Sequence, residues 1–199
     1  FKIIFMGTPD FAIPSLDSLY KSHHNLCCVV TVPDKKQGRG LRVINSPVKD
    51  YCVKNTIKVI QPENFHSQEF VSEIIGYNPD IIVVVAFKIL PKKLWKIPKL
   101  GTINIHASVL PNLRGAAPIN WAIINGDKKT GITIFWPDEG LDTGKILYHA
   151  LSNIKDDPFI YTMSCVKSAF DSIVQRVKDK TILNMKPEDE RAFVGNYRK

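Results

Sequence analysis

Three polar side chains of different chemistry lie within residues 101–144 of this chain: an amide, Asn104, an imidazole, His106, and a carboxylate, Asp142. An amide can polarise a carbonyl oxygen, an imidazole can protonate or stabilise an oxyanion, and a carboxylate can accept a proton. Together they would suit transfer of an acyl group. Each also has a structural interpretation: a strand-end hydrogen bond for Asn104, packing for His106 and a turn for Asp142.

Two strands are predicted to position these groups. Polar and apolar residues alternate over Thr102–His106, so the amide and the imidazole would lie on one face of the first strand. Residues 131–136 are rich in β-branched and aromatic types, which predicts a second strand that ends at the acidic turn carrying Asp142. Between the strands, a proline at the first turn favours a helix over residues 119–124.

The stretch 101–144 resembles the formyltransferase family that uses 10-formyltetrahydrofolate. The motifs that carry the resemblance are Asn104-Ile105-His106, Ser108-Val109-Leu110-Pro111, Arg114-Gly115-Ala116-Ala117-Pro118, Gly126-Asp127, Thr130-Gly131-Ile132-Thr133 and Gly140-Leu141-Asp142-Thr143-Gly144. Val109 stands where the family usually has leucine. The resemblance implies that Asn104, His106 and Asp142 are catalytic, and that 10-formyltetrahydrofolate is the formyl donor, with no metal.

The resemblance also implies where the folate binds. Residues 81–86 form an unbroken apolar run typical of a parallel strand buried on both faces. Ligands of open α/β sheets bind beyond the carboxyl ends of the strands, and family members place the pterin against the segment that follows this one. Here Phe87-Lys88 takes the place of a Tyr-Gly pair, in a segment one residue shorter. The implied folate-binding residues are Phe87, Ile89, Leu90, Ser108, Val109, Leu110 and Pro111.

A basic segment, residues 33–49, is predicted to be a loop. From composition alone, it is either a solvated hinge or an arm that contacts nucleic-acid phosphates. Its Gly38-Arg39-Gly40 and Ser46-Pro47-Val48-Lys49 motifs resemble the inserted loop that methionyl-tRNA formyltransferases direct at the tRNA acceptor stem. Residues 7–11 resemble the opening motif of the tRNA-directed members. The implied tRNA-binding residues are Lys35, Lys36, Arg39 and Arg42.

Composition limits the class of protein. The chain has 199 residues, enough for one domain or slightly more, with 44% hydrophobic residues. No apolar run approaches the ~20 residues that span a membrane. The net charge of +8 suits either a solvated basic surface or a polyanionic partner, such as RNA or folate polyglutamate. The spacing of the cysteines predicts no structural metal, and no G-x-G-x-x-G motif indicates a dinucleotide.

A strand, a glycine turn and a helix open the chain, which predicts an α/β fold with a Rossmann-like, doubly wound and mostly parallel sheet. We assign residues 1–182 to a catalytic domain and 183–199 to a linker or remnant. Full-length family members continue into a barrel-like C-terminal domain, which we expect to be absent. Helices are predicted over residues 13–21, 48–54, 67–75 and about 160–177.

The resemblance implies formyl transfer from 10-formyltetrahydrofolate to the α-amino group of initiator methionyl-tRNA, for translation initiation. Two alternatives keep the folate: a 10-formyltetrahydrofolate hydrolase domain, whose acceptor is water, and a sugar-amine formyltransferase. Residues 119–121, 126–129 and 134–136, together with residues 31–35, resemble the hydrolase, whereas Asn104 and the motifs at residues 7–11 and 38–49 argue against it. A third alternative is a catalytically idle tRNA-binding module. We expect a monomer without a membrane partner, cytoplasmic in a bacterium or organellar in a eukaryote.

Overall fold

In a computed structural model, the described residues are 1–37 and 42–153, and they form a seven-stranded sheet, a two-stranded hairpin and flanking helices. The strands are β1 (Lys2–Gly7), β2 (Asn25–Val30), β3 (Lys35–Gln37), β4 (Arg42–Ile44), β5 (Val59–Ile60), β6 (Ile81–Val85), β7 (Thr102–His106), β8 (Lys129–Trp136) and β9 (Lys145–Asn153). The helices are α1 (Ile13–Tyr20), α2 (Pro47–Lys54), α3 (Gln68–Gly76), α4 (Lys92–Trp95) and α5 (Pro118–Ile124).

The large sheet has the strand order β5-β2-β1-β6-β7-β8-β9. Neighbouring strands from β5 to β7 are parallel, whereas β8 is antiparallel to both β7 and β9. The chain moves outward from β1 to β5 and then returns to the other side of β1 with β6. The predicted α/β fold with a doubly wound, mostly parallel sheet is therefore confirmed. Its topological switch point lies between β1 and β6, where open α/β sheets bind ligands.

Strand β1 explains why helices cover both faces of the sheet. Ile3 and Phe5 belong to one core together with α1 and α2, whereas Ile4 and Met6 belong to the other together with α3 and α4. All four side chains are fully buried. Burying a side chain of this kind stabilises the fold by about 1.5–3 kcal/mol, so one strand anchors both layers.

The prediction of a loop over the whole of residues 33–49 is wrong. Strands β3 and β4 pair antiparallel, with Gln37 opposite Arg42, so part of this basic segment is a hairpin. Three-residue strands are too short for alternation to separate them from a loop, and their pairing satisfies backbone groups that a loop would leave to water. The other predicted elements that fall on described residues agree with the structure to within about two residues, the ordinary uncertainty of helix and strand ends.

Polar contacts fix the base of this hairpin. The hydroxyls of Thr31 and Ser46 share a buried hydrogen bond of 2.8 Å. Gln61 Nε2 donates to Asp34 Oδ1 over 2.7 Å, and the Lys49 ammonium pairs with the same carboxylate. Lys49 first, and then Gln61, hold the pKa of Asp34 below its usual range. A depressed pKa means that these contacts persist at neutral pH and are lost only as acid titrates the carboxylate.

The predicted helix over residues 160–177 and the boundary between residues 182 and 183 lie outside the described residues. Within residues 1–37 and 42–153, no helix is both long enough and apolar enough to cross a membrane.

The close approach of β8 and β9 depends on Gly144. A Cβ added there would overlap the carbonyl oxygen of Trp136. We expect Gly144→Ala to lower the free energy of unfolding by about 3 kcal/mol, because the backbone must shift to relieve the overlap. Urea denaturation measures this effect. Gly76→Ala is the control, since a Cβ there meets nothing within 4 Å. If the two variants unfolded at the same urea concentration, the turn before β9 would have room for a Cβ at position 144.

Candidate active site

A cavity of about 1220 Å³ opens at the carboxyl ends of β1, β6 and β7. Its walls come from Pro9 and Phe11 after β1, from residues 86–90 after β6, and from residues 115–120 and 137–142. This is the switch point of the sheet, and the cavity combines mostly apolar walls with a few convergent polar groups. Small-molecule sites have this character.

Strand β7 supplies polar side chains to the cavity. Thr102, Asn104 and His106 line it, whereas Ile103 and Ile105 belong to the core that includes α1 and α2, although Ile105 also borders the cavity. The predicted alternation of this strand is therefore confirmed.

The amide of Asn104 is set in apolar surroundings. Its neighbours in register are Val84 on β6 and Phe135 on β8, and both line the cavity. Asn104 itself is half-buried. An amide held among apolar groups is a stronger donor to developing negative charge than the same amide in water, because the surroundings screen that charge less.

His106 and Asp142 come together although they are distant in sequence. His106 Nδ1 lies 3.6 Å from Asp142 Oδ2, and only 9% and 11% of the two side chains are exposed. The other ring nitrogen, Nε2, lies 2.8 Å from the carbonyl oxygen of Leu113. Nε2 is within hydrogen-bonding distance of the Leu113 carbonyl, whereas the contact of Nδ1 with the carboxylate is longer than a hydrogen bond. The imidazole therefore lies, largely buried, between two oxygen acceptors.

Asp142 is held from the opposite side by residues that precede α5. The Gly115 N–H donates to Asp142 Oδ2 over 2.8 Å, and Arg114 Nε donates to the Asp142 carbonyl oxygen over 3.0 Å. Asp142 has a φ of +51°, in the left-handed region that L-residues rarely adopt. Contacts to both its side chain and its backbone therefore stabilise an unfavourable conformation.

Asp138 organises the turn that carries Asp142. Its Oδ1 accepts hydrogen bonds from the Thr143 hydroxyl at 2.6 Å and from the Gly140 N–H at 2.9 Å. These two donors, Thr143 first, hold the pKa of Asp138 below its usual range. Asp138, to which the sequence assigned no role, therefore stabilises this turn through hydrogen bonds within it.

The residues predicted to bind folate fall into two groups. Phe87, Ile89 and Leu90 line the cavity, and Ile89 is 84% exposed, a large apolar surface at the rim. Residues 108–111 are not among those that line the cavity. They pack against β8, where Thr133 Oγ1 donates to the Ser108 carbonyl and accepts from the Leu110 N–H. Contact of residues 108–111 with folate stays a prediction.

The residues predicted to bind tRNA belong to the hairpin. Lys35 is exposed on β3, Lys36 also lies on β3, and Arg42 begins β4, whereas Arg39 lies outside the described residues. Just after the hairpin, the Val48 N–H donates to the Thr8 carbonyl over 3.4 Å. This contact joins the exit of the hairpin to the turn that borders the cavity.

Sequence reasoning missed an ion pair between two walls of the cavity. Lys92 of α4 pairs with Glu139 of the turn after β8, and both side chains are exposed. Lys92 holds the pKa of Glu139 below its usual range. Nothing in the sequence brings these residues together, because α4 and this turn meet only through the order of the strands.

Two cysteines are excluded as nucleophiles. Burial raises the pKa of the Cys28 and Cys52 thiols to about 12, and the reactive form of cysteine is the thiolate. Among the described residues, no group of three or more His, Cys, Asp or Glu side chains is arranged to hold a metal ion.

Comparison with known proteins gives consistent family relationships. The family model described as formyl transferase matches residues 1–167. The methionyl-tRNA formyltransferase of Caldanaerobacter subterraneus is 43% identical over 198 residues, which cover 96% of this chain and 64% of the relative. That of Clostridioides difficile is 51% identical over 157 residues, covering 78% of this chain and 51% of the relative. The chain thus spans about half to two-thirds of the curated relatives it matches.

Solved structures share the fold at lower identity. A phosphoribosylglycinamide formyltransferase from Anaplasma phagocytophilum gives a TM-score of 0.69 at 18% identity, covering 90% of this chain and 88% of that one. A formyltetrahydrofolate deformylase from Pseudomonas syringae gives 0.66 at 20% identity, covering 89% and 61%. At these identities, the likeness is one of fold.

Proposed function

The chain belongs to the formyl transferase family, and we propose that it transfers the formyl group of 10-formyltetrahydrofolate to the α-amino group of methionyl-tRNA. The observation that carries this proposal is the convergence of Asn104, His106 and Asp142 in one cavity at the switch point of the sheet. The methionyl-tRNA formyltransferases that match at 43–51% identity support the choice of acceptor.

In the proposed reaction, the amine nitrogen bonds to the formyl carbon, and a tetrahedral oxyanion forms. Asn104 donates a hydrogen bond to the formyl oxygen. The nitrogens of His106 face Leu113 and Asp142, so His106 stabilises the oxyanion through the charge of its imidazolium. The bond between the formyl carbon and N10 then breaks. Asp142 takes up the proton that the amine loses and delivers it to N10 as N10 leaves.

For the folate, we propose that the pterin contacts the apolar surface of Phe87, Ile89 and Leu90. Their exposure at the cavity rim supports this placement. Residues 108–111 would support the site from the side of β8, since Ser108 and Leu110 both hydrogen-bond to Thr133 of that strand.

We also propose that residues 1–182 form the catalytic domain and that 183–199 lead out of it. The end of the family match at residue 167 supports a boundary in this region.

For the acceptor, we propose that the hairpin of β3 and β4 carries Lys35, Lys36, Arg39 and Arg42 to the phosphates of the acceptor stem. The net charge of +8 would favour the encounter with tRNA. Asp34 fixes the base of the hairpin through its contacts with Gln61 and Lys49, which supports a role for the hairpin in binding tRNA.

Replacing Arg39 with alanine is expected to raise the KM for methionyl-tRNA while sparing folate binding. One lost phosphate contact should also reduce the slope of log affinity against log salt by about 1. Steady-state kinetics at several salt concentrations measure both effects. Lys54→Ala, which removes an exposed charge at the end of α2, is the control. If Arg39→Ala and the control behave alike, Arg39 has no part in binding tRNA.

A panel of acceptors tests the proposed function. The protein is given a labelled formyl donor with methionyl-tRNA, a sugar amine or water alone. We expect kcat/KM to be highest for methionyl-tRNA by a wide margin. Dominant release of labelled formate would indicate a hydrolase, dominant sugar labelling a sugar-amine formyltransferase, and tRNA binding without any transfer an idle module.

A further inference from the structure

His106 and Asp142 are both held by one short segment, residues 113–115. The carbonyl oxygen of Leu113 lies 2.8 Å from His106 Nε2, and the N–H of Gly115 donates to Asp142 Oδ2 over 2.8 Å. Leu113 and Gly115 both have positive φ, +55° and +88°. This backbone conformation points the Leu113 carbonyl and the Gly115 N–H in different directions. The segment therefore sets the imidazole and the carboxylate relative to each other.

Arg114 is the side chain between these two backbone groups. Its Nε donates to the carbonyl oxygen of Asp142 over 3.0 Å, which joins the segment before α5 to the turn after β8. Arg114 is exposed and is not among the residues that line the cavity. Its described contact is therefore with the backbone of the turn that carries Asp142. Its side chain does not line the cavity that a substrate would fill.

We propose that Arg114 is a positioning residue that fixes the carboxylate of Asp142 against His106. This inference rests on the proposed function of the same site. The left-handed conformation of Asp142 is unfavourable for a non-glycine residue, so the turn is prone to relax when a restraint is removed. Relaxation would swing the carboxylate away from the imidazole, and a displacement of about 1 Å at a catalytic group can cost on the order of 100-fold in rate.

Two variants distinguish the effect of the Nε–H donor of Arg114 from the effect of its charge. In a glutamine side chain, the amide nitrogen occupies the same position along the chain as Nε of arginine, so Arg114→Gln keeps a donor and loses the charge. Methionine has the same reach but no donor. We expect Arg114→Met to lower kcat by about 10- to 100-fold, because a catalytic group displaced by about 1 Å can lose on the order of 100-fold in rate. Arg114→Gln should retain most of the wild-type kcat, and KM for both substrates should stay near wild type.

A rival explanation is that Arg114 binds a tRNA phosphate through its charge. That role predicts that Gln and Met variants lose equally, through a raised KM for methionyl-tRNA and a smaller salt slope, and this result would overturn the proposal. Lys128→Met is the matched control, because it removes an exposed charge from the turn before β8 and should behave as wild type. Thermal unfolding of each variant identifies any loss caused by unfolding.

A double-mutant cycle tests whether Arg114 acts through Asp142. Arg114→Met should cause no further loss of kcat when added to Asp142→Ala, because the group that it positions is already gone. Multiplying losses would contradict the proposal. The cycle also separates the two hypotheses. If the wild-type protein transfers no formyl group to methionyl-tRNA, the proposed function fails, whereas full transfer by Asp142→Ala alone would remove the catalytic role of Asp142 and with it the positioning role of Arg114. If Asp142→Ala is impaired but Arg114→Met is not, only the positioning role fails.

Discussion

Replacing Asn104 with alanine is expected to slow single-turnover formyl transfer by about 100- to 1000-fold, the usual effect of removing one oxyanion donor. The reason is geometric. Asn104 supplies an amide on the cavity wall between Val84 and Phe135, where negative charge on the formyl oxygen is poorly screened. Rapid-quench measurement with protein in excess over methionyl-tRNA gives the rate of the chemical step.

Two controls make the result for Asn104 specific. Folate affinity of the Asn104→Ala variant should stay near wild type, because the donor acts on charge that develops only in the transition state. Asn125→Ala, at the exposed end of α5, should transfer formyl groups at the wild-type rate. A wild-type single-turnover rate in the Asn104→Ala variant would remove Asn104 from the catalytic site.

The second large effect is expected at Asp142. Asp142→Asn keeps the size of the side chain and an oxygen that can accept the Gly115 N–H, but it removes the charge that faces His106. We expect a loss of about 100- to 10,000-fold in kcat, the range for removal of a general acid or base. Steady-state kinetics with saturating folate measure this loss.

The matched control for Asp142 is Asp127→Asn, in the exposed turn between α5 and β8, which should leave kcat unchanged. Folate binding to both variants reports whether the cavity is intact. If the Asp142→Asn variant retains the wild-type kcat, the proton must leave by another route, and Asp142 is only a residue of the turn.

The fold was predictable because its strands are distinct in composition. The apolar run that became β6 is buried along its whole length, as a central parallel strand requires. The alternation over β7 placed Asn104 and His106 on one face, and they line the cavity together. These features depend on local periodicity, which a sequence shows directly.

The contacts within the site depend on strand order, which a single sequence does not show. β8 runs antiparallel to β7 and ends beside the start of β7, so Asp142 meets His106 because residues 137–142 turn back along β7. The ion pair of Lys92 with Glu139 and the bond from Arg114 to the Asp142 carbonyl arise in the same way. Spacing along the chain carries no signal for such pairs.

The burial of Ser108 and Leu110 was also beyond the sequence. A proline-containing turn normally indicates an exposed loop, but here Val109 packs over Gly131 of β8 so closely that a Cβ on the glycine would lie 3.0 Å from Val109 Cγ2. Residue types predict a turn here, but the burial of its side chains depends on the strand against which it packs.

The central claim is that this site transfers a formyl group to methionyl-tRNA, and the fate of one labelled formyl group tests it most directly. The protein is loaded with 10-formyltetrahydrofolate labelled in the formyl carbon and mixed with excess methionyl-tRNA, and the quenched products are separated. We predict that the label appears on the methionyl amine, and that Asn104→Ala protein produces it far more slowly. Label recovered as formate, or equal transfer by the wild-type and Asn104→Ala proteins, would contradict the account.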